Sequence, residues 1–184
     1  MLDAHCHIYD SKLDDKRDEI LKNLSQTGQI CICSSDNVEN SKKSVELAQK
    51  YDFIYATVGT HPHEVEQFLD SDLDIYREML KSKKVVAVGE IGLDYYYDKD
   101  IKEKQKEVLV KQIKFADEVN KPCVFHIREA TEDFINILKE NKKYFKRPSM
   151  IHSFSGSIET AKFYLDMGLY ISINGIATFK NAGK

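Results

Sequence analysis

Six histidines stand in the chain: His5, His7, His61, His63, His126 and His152. His5 and His7 lie within the first apolar run, and the other four fall at or just beyond the carboxyl end of an apolar run. A neutral imidazole offers a lone pair to a cation, and a protonated one gives up a proton near neutrality. His5-Cys6-His7 is the first piece of such chemistry. On a strand, residues i and i+2 share a face about 6 to 7 Å apart, so both rings reach one ion. Glu90 closes the run Val85-Val86-Ala87-Val88-Gly89. A carboxylate there is costly unless it is paired or bound to metal, and its two oxygens can bridge ions about 3.5 to 4 Å apart. His126 ends Pro122-Cys123-Val124-Phe125, and His152 follows Met150-Ile151. Either of these alone reads equally well as a core histidine; with His5, His7 and Glu90 they read as a ligand set. Neutral imidazoles suit zinc, manganese, iron and nickel, whereas an all-oxygen set favours magnesium. His61 and His63, joined by Pro62, read as substrate-facing groups or as plain loop residues. Arg128, two residues past His126, reads as a bidentate phosphate clamp, or as the ion-pair partner of Glu129 or Glu132.

These side chains need elements that bring distant residues to one end of a sheet. Seven apolar runs are present: Leu2–Ile8, Gln29–Ser34, Phe53–Gly59, Val85–Ile91, Cys123–Ile127, Met150–Phe154 and Leu169–Ile173. Most are continuously apolar, as parallel strands covered on both faces require. Between them lie helical stripes: Ile20, Leu21 and Leu24 before Gly28; Val108, Leu109, Gln112, Phe115, Ala116 and Val119; Phe134, Ile137 and Leu138; and Ile158, Ala161, Tyr164 and Leu165 before Gly168. Repeated strand–helix alternation, with no linker or low-complexity tract, predicts an α/β fold. The expected architecture is a (β/α) TIM-type barrel over residues 1–184 as one domain. A doubly wound sheet would call for a Gly-rich phosphate loop after an early strand, and none occurs. Barrel active sites form at the carboxyl ends of the strands, which is where the histidines fall.

Composition narrows the partners. With 27 basic against 30 acidic residues, a nucleic-acid ligand must be held locally or through ions rather than by bulk charge. No apolar stretch reaches membrane-spanning length, and the N-terminus lacks a signal-peptide pattern. Cys6, Cys31, Cys33 and Cys123 form no CxxC pair and read as buried, reduced thiols. A cytoplasmic protein without membrane partners is the expectation.

The sequence resembles the TatD family of metal-dependent deoxyribonucleases, within the amidohydrolase-type barrels. The matching stretches run in family order from end to end: Asp3-Ala4-His5-Cys6-His7, Gly59-Thr60-His61-Pro62-His63, Gly89-Glu90-Ile91-Gly92-Leu93-Asp94-Tyr95, His126-Ile127-Arg128-Glu129-Ala130, His152-Ser153-Phe154-Ser155-Gly156-Ser157 and Gly168-Leu169-Tyr170-Ile171-Ser172-Ile173-Asn174-Gly175. The resemblance implies two divalent ions, magnesium or manganese first and zinc, nickel or iron as alternatives, on His5, His7, Glu90, His126 and His152. Glu90 and His61 become the catalytic candidates, and His63 and Arg128 the substrate contacts. It implies cleavage of DNA phosphodiesters from the 3′ end, with aminoacyl-tRNA ester hydrolysis as the second possibility.

The expected ion sets are His5, His7 and Glu90 on one side and Glu90, His126 and His152 on the other. The family pattern continues into an eighth strand with a Glu-Thr-Asp motif, whereas this sequence runs out at Phe179–Lys184 after the seventh. Asp94 reads as a poor substitute for the missing Asp. A truncated metal-binding domain of little activity, oligomerising through exposed strand edges, is therefore the competing reading.

Overall fold

The computed structural model describes residues 2–97 and 99–180. Of the closing stretch Phe179–Lys184, residues 181–184 lie outside the described residues. All seven expected strands are present: β1 (Leu2–Cys6), β2 (Ile30–Cys33), β3 (Ile54–Val58), β4 (Val85–Asp94), β5 (Cys123–Arg128), β6 (Met150–Ile151) and β7 (Tyr170–Ile171). They form one parallel sheet in the order β1-β2-β3-β4-β5-β6-β7. This sequential order is that of a (β/α) barrel, and the sheet curls far enough to set His152, beyond β6, face to face with His5 on β1. Among the described residues there is no eighth strand, and β1 is not paired with β7.

Helices fill the crossovers: α1 (Arg17–Thr27), α2 (Val38–Lys50), α3 (Asp72–Met79), α4 (Lys102–Glu118), α5 (Thr131–Glu140) and α6 (Ile158–Asp166). Four of these match the sequence stripes. Gly28 ends α1 in the left-handed region at φ 63°, as its stop position requires. The α6 stripe is narrower than expected: Tyr164 is buried, but Ile158 and Leu165 are exposed. Two helices have no stripe in the sequence reading. The buried face of α2 is Ser41, Ser44, Val45 and Ala48, a helical spacing half made of serines. Only Tyr76 is buried on α3.

Strand lengths differ from the apolar runs in one way that matters. β4 extends three residues beyond Ile91, through Gly92 and Leu93 to Asp94, because those residues pair with His126, Ile127 and Arg128 of β5. The chains approach most closely at Gly92, which lies at φ 155°; a Cβ there would sit 1.9 Å from the carbonyl oxygen of His126. Glycine is therefore required by space as well as by backbone conformation. The core runs along both faces of the sheet, from Ile54 and Val58 through Ile91 and Leu93 to Phe125, Phe134 and Tyr164.

Gly28 and Gly92 both have positive φ, but only Gly92 has no room for a methyl group. Gly92→Ala is expected to lower stability by about 2 kcal/mol or more, and Gly28→Ala by about 1 kcal/mol. Urea unfolding of the two variants checks the order; equal losses would contradict it.

Candidate metal centre

Glu90 sits in the interior of β4 with its backbone pinned: its N–H donates to the Ser35 carbonyl at 2.7 Å. Just before it, the Gly89 carbonyl accepts from the Thr57 hydroxyl, and Thr57 Oγ1 in turn accepts from the Ser35 N–H at 3.3 Å. The carboxylate is 4% exposed and faces two groups of imidazoles. Its Oε2 is 3.1 Å from His5 Nε2. Its Oε1 is 3.0 Å from His126 Nδ1 and 4.0 Å from His61 Nε2. Burial works against the charge, but hydrogen bonds from His126 and His5 and the electrostatic influence of His5 and His61 outweigh it, holding Glu90 well below the usual carboxylate range.

The rings are arranged as donors to a cation. His7 Nδ1 lies 3.1 Å from the Ser34 carbonyl and 3.1 Å from the Tyr9 hydroxyl. A carbonyl only accepts, so Nδ1 carries the proton and Nε2 keeps its lone pair. That Nε2 lies 3.1 Å from His5 Nε2, so the two residues of the H-x-H pair converge, as their spacing predicted. His152 stacks on His5 with ring centroids 3.4 Å apart. His5 Nδ1 and His152 Nδ1 are buried with no hydrogen-bond partner among the described residues, an arrangement that costs free energy unless a ligand completes it. Burial and the neighbouring His5 lower His152 to about 4, and burial with His5 also lowers His7. Both rings are thereby kept in the neutral form that ligates.

Two donor groups result, each within 4.8 Å internally: His5, Glu90 and His152, and His61, Glu90 and His126. The residues fit divalent cations, with mixed nitrogen and oxygen donors on both sides of Glu90. The division between the groups differs from the expected one. His152 stands with His5 because the sheet curls β6 back toward β1, and His61 lies beside His126 where His152 was expected, with a proton rather than a lone pair toward Glu90. His61 Nδ1 accepts the His63 N–H at 3.2 Å, which leaves the proton on Nε2, aimed at Glu90. Burial lowers His61 to about 3, with His126 and His63 adding to the effect and Glu90 opposing it.

Asp94, read from the sequence only as a poor substitute for the missing Asp, meets the cluster through two of its imidazoles. Its side chain is fully buried, and Oδ2 is 2.9 Å from His126 Nε2 and 3.0 Å from His63 Nε2. Burial disfavours a charge on His126, but the carboxylates at both of its nitrogens raise its pKa. The signal was available: Glu90, Gly92 and Asp94 share one strand face once β4 is read to its full length. Asp36 and Glu64, also unpredicted, line the same cleft of about 310 Å³ with all six histidines, Glu90, Asp94 and Arg128. Arg128 makes no ion pair with Glu129 or Glu132 among the described residues; its guanidinium lies over Tyr96 and Tyr97, 3.9 and 4.8 Å from the ring centroids. The four cysteines are free, three of them buried and Cys6 partly so. Asp3, Cys6 and Cys31 form a further donor group apart from this cleft.

Two glutamines of α4 hold the site from behind. Gln112 Oε1 accepts the Thr60 N–H at 2.8 Å, and its Nε2 donates to the Thr60 carbonyl at 2.9 Å. Gln105 does the same for Asp94, at 2.9 and 3.0 Å. Each amide thus satisfies the backbone of a residue at or next to the cluster. Gln112, counted in the sequence as part of an apolar stripe, is buried but packs as a polar clamp.

Known proteins are similar to this chain along nearly its whole length. The family described as TatD related DNase matches residues 2–184. The chain belongs to the TatD family. It is 38% identical over 186 residues to the metal-dependent hydrolase YabD of Bacillus subtilis, spanning all of this chain and 72% of that protein. It is 35% identical over 185 residues to the deoxyribonuclease Tat-D of Schizosaccharomyces pombe, spanning 91% of this chain and 58% of that one. The crystal structure of YjjV, a TatD homologue from Escherichia coli, matches with a TM-score of 0.88 at 31% identity, over 97% of this chain and 70% of that one. This TatD-type chain is thus a metal-dependent hydrolase with a TIM-barrel-like fold. No helix among the described residues is long and apolar enough to cross a membrane.

Manganese at saturation is expected to raise the melting temperature of the wild-type chain by several degrees, and Glu90→Gln to abolish the rise; an equal rise in both would remove Glu90 from the ligand set. Gln112→Leu leaves Thr60 unsatisfied and is expected to cost about 1 to 3 kcal/mol in urea unfolding, with weaker manganese binding by calorimetry although Gln112 touches no ligand.

Proposed function

We propose that the chain hydrolyses phosphodiester bonds of DNA, acting from the 3′ end, with two divalent ions held by His5, His7 and His152 on one side of Glu90 and by His126 on the other. The observation that carries this reading is the two-sided use of Glu90, whose oxygens face separate imidazole groups 3.1 and 3.0 Å away. The name of the Schizosaccharomyces pombe relative supports DNA as the substrate. Bound there, divalent ions supply positive charge to a phosphoryl oxygen and make water a nucleophile near neutral pH.

The chain's own residues do the rest. Glu90 fixes the spacing of the two halves of the site. His61, held neutral with its proton on Nε2, donates a hydrogen bond to a non-bridging oxygen. Asp94 keeps His63 and His126 in place through one oxygen, and His63, partly exposed at the cleft, is set to meet the departing oxygen. Arg128, exposed at the rim, offers its guanidinium edge to the next phosphate.

The test is cleavage of a 3′-labelled single-stranded oligonucleotide by the purified chain with Mg²⁺ or Mn²⁺, beside Glu90→Gln. Metal-dependent release of nucleotides by the wild type, reduced at least about 100-fold in the variant, is the expected result. Background-level product from both proteins would overturn the reading. Hydrolysis of D-aminoacyl-tRNA with DNA left intact would move the reaction to carboxylic esters.

A further inference from the structure

Tyr95, Tyr96 and Tyr97 follow β4 directly, and they divide by environment. Tyr95 is buried, its hydroxyl donating to Asp133 at 2.7 Å. Tyr96 and Tyr97 are 47% and 63% exposed, two large rings in solvent at the edge of a cleft lined almost wholly by polar groups. We propose that Tyr96 and Tyr97 form a stacking platform for an unpaired nucleobase, positioned beside the metal centre by Asp94. The proposal rests on the reading of the substrate as nucleic acid and adds how the base is held.

Asp94 ties the two places together. Its Oδ2 faces His63 and His126 at 3.0 and 2.9 Å, while its Oδ1 accepts the N–H groups of Tyr96 and Tyr97 at 2.9 and 3.2 Å. One buried carboxylate therefore sets the turn that carries the tyrosines and the imidazoles that face the reacting phosphate. The rings stand edge to face, with centroids 4.6 Å apart at 88°, so their planes are perpendicular while both stay substantially open to solvent. Tyr97 lies 5.5 Å from the His63 ring, which puts the platform within one nucleotide of the cluster. Arg128 packs its guanidinium against the tyrosine rings, keeping a cation for the backbone between base site and metal site. Stacking on an aromatic face accepts any base, because every base has a π-face. The platform should thus favour bases that are free to leave a helix, without reading their identity.

The test compares two 3′-labelled oligonucleotides, one with a normal terminal nucleotide and one whose terminal nucleotide lacks its base. The wild type is expected to show a KM about tenfold lower for the base-bearing substrate, with kcat changed less. Tyr96→Ala/Tyr97→Ala should bring that ratio close to one, and Tyr96→Phe/Tyr97→Phe should keep it, since rings rather than hydroxyls carry the effect. A ratio as large in the alanine variant as in the wild type would overturn the proposal. If the wild type cuts neither oligonucleotide, the DNA-cleavage reading falls separately. The platform is then judged by fluorescence quenching of a 3′-terminal 2-aminopurine on titration with protein. Quenching lost in the alanine variant supports it, and equal or absent quenching in both proteins overturns it.

Discussion

A buried carboxylate with no lysine or arginine partner among the described residues governs this structure. Glu90 is almost wholly withdrawn from water, where an isolated negative charge would cost several kcal/mol. Imidazoles from β1, β5 and the loop after β3 compensate it instead of a permanent cation. Compensation of that kind is adjustable, because a ring can face the carboxylate with a proton or face a cation with a lone pair. Burial, with neighbouring rings adding to it, keeps His61 and His152 neutral, so one arrangement both tolerates the carboxylate and leaves these two rings uncharged.

Precision in such a cluster comes from groups that touch no ion. Ser35 and Thr57 hold the backbone on either side of Glu90. Arg17 gathers the chain after His7, donating to the carbonyls of Ile8, Tyr9 and Asp10 at 2.8, 3.1 and 2.7 Å. The Ser34 carbonyl fixes the orientation of the His7 ring. Partners behind the ligands in this way set tautomer and angle as strongly as the ligands themselves.

Much of this was legible in the sequence, and the parts that were not have a common cause. The seven strands were readable because parallel strands are apolar on both faces, and the convergence of His5, His7, Glu90, His126 and His152 on one cleft because histidines cluster where such strands end. The sharing of the ligands between two groups was not readable, since it depends on how far the sheet curls and on which strand ends thereby meet. Helix α2 escaped because Ser41 and Ser44 occupy half of its buried face, where hydroxyl bonds rather than apolar contact stabilise the packing. Asp94 escaped because glycine and aspartate at the end of β4 resemble a turn. Only the pairing with β5 extends the strand and turns that carboxylate toward His126.

The two glutamines of α4 are seven residues apart, and seven residues make close to two helical turns, a rise of about 10.5 Å. They therefore project from one side of the helix and grip two different strand ends at a set interval. The helix acts as a ruler laid across the back of the site. Sliding or tilting it would shift the His61 loop and Asp94 together. Inserting one residue between the clamps would swing one of them by about 100° and release its strand end, even with every ligand unchanged. Tolerance of length changes in this barrel should thus be lowest in a helix that contributes no ligand at all.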